Sequence, residues 1–325
     1  MNYENRLGAL TMDLQTKLIY LFIDLVVPLL IGNACRHQSR LDKEFFQRMI
    51  VFNICGVYPV LTILTMWNLK LNFALVWLPV IGVLICVIPG ALAYLRVNIK
   101  FKSELDKGSY ILSAILSNTA TLGGLCAYIM YGEVGFAYTQ MVVMLQNVVM
   151  FTFCFPLAQY YYQKSIGASF DRQSVARLFL NRNQLPVVGT AIGLFLNLVN
   201  IDRPPQLEAI VDPLVHLGAW TALLPIGYAI DTMGMRTYYA AITDLIPIKL
   251  ILTPAVAYLI ARVLFADETI VNTIVILAAM PTAINTVIAV QLHKLNVDIA
   301  TAAFVLTTAV CIVFELPMLF FLMSG

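Results

Sequence analysis

The chain is poor in charged residues. Of its 325 residues only 12% are Asp, Glu, Lys or Arg, whereas 60% are hydrophobic. Soluble domains contain about 25% charged residues, so this composition excludes an ordinary soluble domain of this length. The net charge of +2 is too small to indicate a nucleic-acid partner.

The sequence also lacks the motifs of common enzymes. It contains no His-Glu-x-x-His zinc motif, no Gly-x-Ser-x-Gly elbow and no paired aspartates inside an apolar segment. It has no P-loop, which excludes direct ATP drive by this chain alone. Its six cysteines show no paired or metal-like spacing, and we interpret them as packing residues. We therefore expect no enzymatic activity, no metal and no cofactor.

Long apolar runs separate the few charges. A helix needs about 20 residues to cross the hydrocarbon of a bilayer. Helices must form such spans, because unpaired backbone groups are costly in lipid. We predict an all-α membrane protein with ten transmembrane helices, at residues 14–34, 48–69, 73–96, 109–131, 134–161, 184–201, 209–230, 238–262, 269–291 and 298–323.

The positive charges favour one set of loops. The loops that follow spans 1, 3, 5, 7 and 9 contain 14 of the 20 Lys and Arg residues. By the positive-inside rule these loops are cytoplasmic, and both termini lie outside. We expect a multi-pass protein of the cytoplasmic membrane.

Matched residues recur through the two halves of the chain. The spacing within each pair is 161 to 166 residues: Pro156 with Pro317, Pro89 with Pro254, Gly32 with Gly193, and Pro59 with Pro225. Such internal similarity is typical of transporters built from repeats. Five spans per repeat is an odd number, so the second copy has inverted topology. We predict repeats at 1–163 and 183–325, joined by a cytoplasmic linker at 164–182.

Two polar stretches interrupt the fourth and ninth spans. They read SNTATLGGL from Ser117 and AMPTAINT from Ala279. Gly123, Gly124 and Pro281 weaken a helix, so we predict that both helices are discontinuous and cross near the midplane. The unpaired backbone groups then need side chains, water or a ligand.

Helix ends at such a crossing favour an anion. The N-terminal end of a helix carries partial positive charge and binds carboxylates through backbone amides. Asn118, Thr119, Thr282 and Asn285 add neutral donors. The alternative is that these side chains only bridge neighbouring helices, as is common in membrane bundles.

Three ionisable residues lie inside other spans. Lys249 is a candidate to balance an anionic substrate or to pair with Asp24 or Glu315. Glu315 and Asp24 are candidates to carry a coupling proton or cation. The alternatives are a buried ion pair or a protonated, hydrogen-bonded packing residue. The sequence leaves these alternatives open.

At these residues the chain resembles the auxin efflux carrier family, within the larger group that includes the bile-acid symporters. The similarity runs from the first span to the last, and is carried by IPIKLILTPAVAYLIA of the eighth span and LAAMPTAINTVIAVQLHKLNVD of the ninth. Asn118, Thr119 and Gly123 match the family motif of the fourth helix. Ala120 replaces its glycine, and Leu125 stands where the family has proline.

The resemblance implies a scaffold of helices 1, 2, 6 and 7, which also forms a homodimer contact. Helices 3–5 and 8–10 would form a transport domain that moves like an elevator. The implied substrate contacts are Asn118, Gln146, Pro281 and Asn285 on the transport domain, with Tyr58 and Thr62 on the scaffold. Sodium-coupled relatives have acidic residues beside the crossing, whereas the ninth span has none between Glu268 and Asp298. Proton coupling or facilitated movement is the alternative to sodium coupling.

We therefore expect a secondary transporter for a small organic anion such as malate, malonate or an indole-type acid. One alternative is a membrane receptor that binds such a ligand without moving it. Another is a sodium-coupled symporter of the bile-acid type. The substrate, the coupling ion and the direction of transport stay open.

Overall fold

The computed structural model describes residues 14–36, 42–167, 185–229 and 235–323. Within these ranges the chain is helical apart from short connections and one isolated β-bridge. The helices are α1 (Gln15–Cys35), α2 (Glu44–Trp67), α3 (Phe73–Lys100), α4 (Glu104–Ile115), α5 (119–131), α6 (133–165), α7 (Leu185–Leu198), α8 (Pro205–Tyr228), α9 (Tyr239–Leu264), α10 (Glu268–Ala278), α11 (Ile284–Leu292) and α12 (Val297–Met323).

The helices are those of a membrane protein. Seven helical runs in the described ranges are long and apolar enough to cross a membrane, and α7 and α10 are shorter apolar helices. The expectation of an all-helical, multi-pass membrane protein is thereby confirmed. The predicted linker lies outside the described residues from residue 168 onward, as do residues 1–13 and the last two residues.

The helical run from 119 to 165 is a hairpin of two helices. Gly132 interrupts it with φ 63° and ψ −150°, a conformation that glycine adopts without a steric penalty. A Cβ atom on Gly135 would lie 2.3 Å from the carbonyl oxygen of Ala127. Eight residues along a straight helix span about 12 Å, so this contact requires the chain to reverse. Helices α5 and α6 are therefore antiparallel neighbours.

Glycines bring α1 and α8 into backbone contact. A Cβ atom on Gly32 would lie 2.1 Å from the carbonyl oxygen of Leu224, and one on Gly227 would lie 2.2 Å from that of Leu29. Lipid gives no hydrophobic drive for helices to associate, so close packing of small residues contributes much of the attraction. The two glycines thus form a reciprocal contact.

Helices α2 and α7 pack in the same way. Gly189 and Gly193 are four residues apart on one face of α7, and they meet Pro59 and Ile63 of α2. The Asn197 amide nitrogen then lies 2.7–3.0 Å from three carbonyl oxygens at the C-terminal end of α2. The last carbonyls of a helix lack the usual i+4 amide partners, so Asn197 supplies donors that fix the end of this pair.

A cluster of charged and polar side chains joins α3, α4 and α9. Asp244 accepts hydrogen bonds from Arg96 at 2.9 Å, from Tyr110 at 2.7 Å and from Lys100. Asp244 is only half-buried, so its ion pairs are partly screened by solvent. The cluster thus joins the C-terminal end of α3, the middle of α4 and the beginning of α9.

The glycine contacts predict a stability difference. Gly32→Ala places a methyl group against the backbone of α8, and we expect it to lower the free energy of unfolding by about 1–3 kcal/mol through overpacking. Thermal unfolding of purified protein in detergent measures the change.

Gly56→Ala is the matched control. A Cβ at Gly56 meets only the Phe52 ring at 3.8 Å, so alanine should be neutral or slightly stabilising. Equal melting temperatures for Gly32→Ala and Gly56→Ala would contradict the role assigned to the α1–α8 contact.

Candidate functional site

Two interrupted helices cross inside the molecule. Helix α4 ends just before α5 begins, and α10 ends just before α11 begins. The two short extended segments between them pair antiparallel, with an isolated β-bridge between Ser117 and Thr282. The Asn118 amide donates to the Pro281 carbonyl oxygen at 2.8 Å. Each break thus satisfies backbone groups of the other, which allows irregular backbone at membrane depth.

The first break lies at residues 116–118, before the Gly-Gly pair that was expected to cause it. Gly123 and Gly124 lie in α5, and their role is close packing: a Cβ on Gly123 would be 2.8 Å from Leu277, and Gly124 faces α6. The chain breaks although Leu125 stands in place of the family's proline. Pro281 lies in the second break, as predicted.

Lys249 lies at the C-terminal end of α4. Its ammonium donates to the Ala114 carbonyl oxygen and to the Ser117 hydroxyl, both at 2.7 Å. The Ser113 and Leu116 carbonyl oxygens lie 3.4 Å away. The side chain is 1% exposed. Because a helix C-terminus carries partial negative charge, this ammonium neutralises it.

Asp24 and Glu315 lie elsewhere, so Lys249 pairs with neither of them. The Asp24 carboxylate lies 2.6 Å from Nδ1 of His216 and accepts a hydrogen bond from the Trp220 indole at 3.0 Å. It therefore joins α1 to α8. Glu315 is a buried residue of α12.

A cavity of about 1000 Å³ opens beside the crossing. Its inner end is lined by the first turns of α5 and α11, through Ala120, Thr121, Ile284 and Asn285. It extends to the ends of α1, α2, α8 and α11. The lining residues at that outer end include Arg36, Gln47, Tyr228 and Gln291.

Three of the predicted site residues line this cavity. Asn285 follows the second break, and its side chain is exposed to the cavity. Gln146 reaches it from α6 while it donates a hydrogen bond to the Gly82 carbonyl oxygen at 3.2 Å. Tyr58 of α2 lies opposite, with its hydroxyl 3.4 Å from the Ala120 carbonyl oxygen.

The other predicted residues form the crossing behind the cavity wall. Thr282 donates to the Ser113 carbonyl oxygen at 2.8 Å and is fully buried. Asn118 is buried, and so is Thr119, at the start of α5. Thr282 therefore fits the alternative that polar residues bridge helices. The Thr119 hydroxyl has no hydrogen-bond partner in the described part of the chain.

Thr62 lies away from the cavity. Its hydroxyl bonds to the Pro59 and Pro186 carbonyl oxygens, at 2.9 and 3.2 Å, and it is fully buried between α2 and α7. The structure therefore places Thr62 in the packing of these two helices.

The sequence analysis missed Gln140. Its side chain is 3% exposed, lines the cavity, and has an amide nitrogen with no hydrogen-bond partner in the described part of the chain. Gln140, Val143, Gln146 and Met150 line the cavity from one side of α6. That spacing of three to four residues was the available signal.

The charge distribution at the crossing is asymmetric. The N-terminal ends of α5 and α11 face the cavity, and the first four amides of a helix have no partner within it. The negative end of α4 is neutralised by Lys249. The inner end of the cavity therefore presents amide donors and a positive potential.

Comparison with known proteins agrees with this architecture. The profile of a family described as "Membrane transport protein" matches residues 5–320. A Rhizobium meliloti (strain 1021) protein described as "Putative malonate transporter" is 27% identical over 140 residues, which cover 43% of this chain and 44% of that protein. The family and this relative are both described as transport proteins and not as enzymes. Because the family profile covers nearly the whole chain, this protein belongs to the membrane transport protein family, the auxin efflux carriers that its sequence resembles.

Proposed function

We propose that this membrane transport protein is a secondary carrier that moves a small organic anion, in the first instance a dicarboxylate such as malonate. The observation that carries the proposal is the pair of half-helix N-termini that face one cavity. Backbone amides there can bind a carboxylate without a buried arginine. The description of the Rhizobium relative adds malonate as the first ligand to test.

Neutral side chains complete the proposed site. Asn285, Gln146 and Gln140 are amides on the cavity wall, and Tyr58 adds a hydroxyl. The unpartnered nitrogen of Gln140 is a donor without an acceptor, which a carboxylate oxygen would supply. The cavity is larger than a small dicarboxylate, so water fills the remainder and the ligand is bound only at the inner end.

One end of the molecule is open and the other is closed. The cavity leads to the end where the positively charged loops lie, which is the predicted cytoplasmic side. At the opposite end Arg203 forms an ion pair with Glu133 at 2.7 Å, and the Tyr128 hydroxyl donates to Asp212 at 2.8 Å. This arrangement fits the inward-facing state of an alternating-access cycle.

We propose an elevator-like cycle between two bodies. The scaffold is α1, α2, α7 and α8, and the transport domain is α3–α6 with α9–α12. The glycine contacts lie within the scaffold, whereas the Tyr128–Asp212 contact and the Arg203–Glu133 pair join the two bodies. The cavity lies between Tyr58 on the scaffold and Asn285 on the transport domain. Sliding of one body past the other would carry the site across.

The scaffold contacts support the inverted repeat. Gly32 of α1 packs on α8, and its counterpart Gly193 of α7 packs on α2. In the predicted repeat, α1 corresponds to α7 and α2 corresponds to α8. The α1–α8 contact of one glycine is therefore the equivalent of the α7–α2 contact of the other. The ten-helix arrangement, the homodimer through the scaffold and the use of H⁺ remain proposals.

Removal of the side-chain amide of Asn285 or of Gln146 should weaken ligand binding. We expect Asn285→Ala and Gln146→Ala each to raise the malonate Kd about tenfold, because each removes a hydrogen bond to a charged group. Calorimetry on detergent-purified protein measures Kd.

Gln206→Ala is the control, since this exposed residue lies in the first turn of α8 outside the cavity. Unchanged malonate binding in both site variants would reject the assigned site. Binding without uptake of labelled malonate into proteoliposomes would favour the receptor alternative.

A cross-link between the two bodies should stop transport. In a background whose six native cysteines are serine, we expect a bifunctional thiol reagent on Tyr128→Cys with Asp212→Cys to abolish anion flux and leave ligand binding intact. Flux into proteoliposomes before and after reduction of the cross-link measures the effect.

Asp24→Cys with His216→Cys is the matched pair inside the scaffold, where the two wild-type side chains lie 2.6 Å apart. Its cross-link should leave flux at the level of the same protein without reagent. Full flux with Tyr128 and Asp212 positions cross-linked would exclude relative motion of the two bodies.

A further inference from the structure

Four oxygen atoms surround the ammonium nitrogen of Lys249. They comprise three backbone carbonyls at the C-terminal end of α4 and the Ser117 hydroxyl, at 2.7–3.4 Å from the ammonium nitrogen. Lys249 itself is 1% exposed and belongs to α9, a helix separate from the oxygens that it contacts. The ammonium is thus buried in a cage of oxygen ligands supplied by the broken helix.

Such a cage suits a monovalent cation. Hard cations prefer oxygen ligands, and the carbonyl ends of broken half-helices are where transporters coordinate sodium or protons. No carboxylate in the described residues contacts this ammonium. The cage therefore carries only partial negative charge, which a single ammonium balances.

The position of the cage links it to the anion site. Ser117 contacts the ammonium and also lines the cavity, whereas Lys249 does not line it. Ser117 also pairs with Thr282 across the crossing. The charge therefore lies directly behind the wall of the cavity, where it adds positive potential without touching the ligand.

We propose that the Lys249 ammonium is a tethered cation that permanently occupies a monovalent-cation site at the crossing. An exchangeable sodium ion is then not needed there, and the fixed charge moves with the crossing during transport. The part that concerns transport rests on the proposed carrier function. The cation site itself does not, and it can be tested with no organic anion present. Lys249 acts as a positioning residue for the crossing and the amides of the anion site.

Removal of the Lys249 side chain should create a sodium site among the oxygen atoms that it contacts. We expect the melting temperature of Lys249→Ser to be at least about 2 °C higher in NaCl than in choline chloride of equal concentration, since an ion that binds only the folded state stabilises it. Methylammonium chloride should give a similar rise, because it replaces the lost ammonium. The wild-type protein should give the same melting temperature in all three salts.

Two further variants test whether the rise in melting temperature with sodium depends on the oxygen ligands around Lys249. Adding Ser117→Ala to Lys249→Ser removes one oxygen ligand and should reduce the rise in melting temperature. Lys100→Ser removes a lysine that pairs with Asp244 outside the cage, and it should show no preference for sodium over choline.

Two results would overturn the proposal. One is a folded Lys249→Ser protein that responds to neither sodium nor methylammonium. The other is a wild-type protein stabilised by sodium relative to choline. If Lys249→Ser does not fold in choline chloride, the proposal requires that preparation in sodium or methylammonium chloride restores a folded protein, and failure of both salts to do so also overturns it. Malonate binding is measured separately, so a failed anion site leaves the cation result unaffected.

Discussion

The rest of the structure depends on one constraint: every backbone group inside the bilayer needs a partner. A broken helix leaves amides and carbonyls unpaired, and in lipid each unpaired group is costly. Here the Asn118 amide donates to Pro281, and the Ala283 amide donates to Leu116. This mutual pairing fixes α4, α5, α10 and α11 around one point. The irregular backbone is stable only because the two breaks meet.

The backbone groups at the two helix breaks determine the charge that the crossing presents to the cavity. Lys249 satisfies the carbonyl end of α4, so the negative pole of that half-helix is neutralised. The first turns of α5 and α11, whose leading amides lack the usual i−4 carbonyl partners, line the cavity. In the proposed carrier, these neutral backbone groups and one buried ammonium would supply the preference for anions, with few charged side chains required.

Packing within the scaffold differs from packing between the two proposed bodies. Within the scaffold, glycines allow backbone contact, and such contacts leave little room for sliding. The boundary between the two proposed bodies contains apolar packing, in a core cluster that includes Leu61, Val215 and Ile129. It also contains two polar contacts, Arg203 with Glu133 and Tyr128 with Asp212. The Arg203–Glu133 pair is mostly buried, with side chains 4% and 23% exposed, whereas Tyr128–Asp212 is a single exposed hydrogen bond. The proposed sliding would therefore have to exchange buried apolar and ionic contacts between the two bodies as well as this hydrogen bond.

The sequence by itself determined the helical membrane architecture and the two interrupted segments. Its family resemblance also predicted Asn285, Gln146 and Tyr58 as site residues, and all three line the cavity. Long apolar runs and helix-weakening residues are local signals, and they act wherever the chain folds. Only the tertiary structure decided that Thr62 packs between helices, that Gln140 faces the cavity and that Lys249 lies at the end of α4. A buried polar residue takes its role from the helix it meets. That partner lies more than 120 residues away for Thr62 and for Lys249, so no local pattern reveals it.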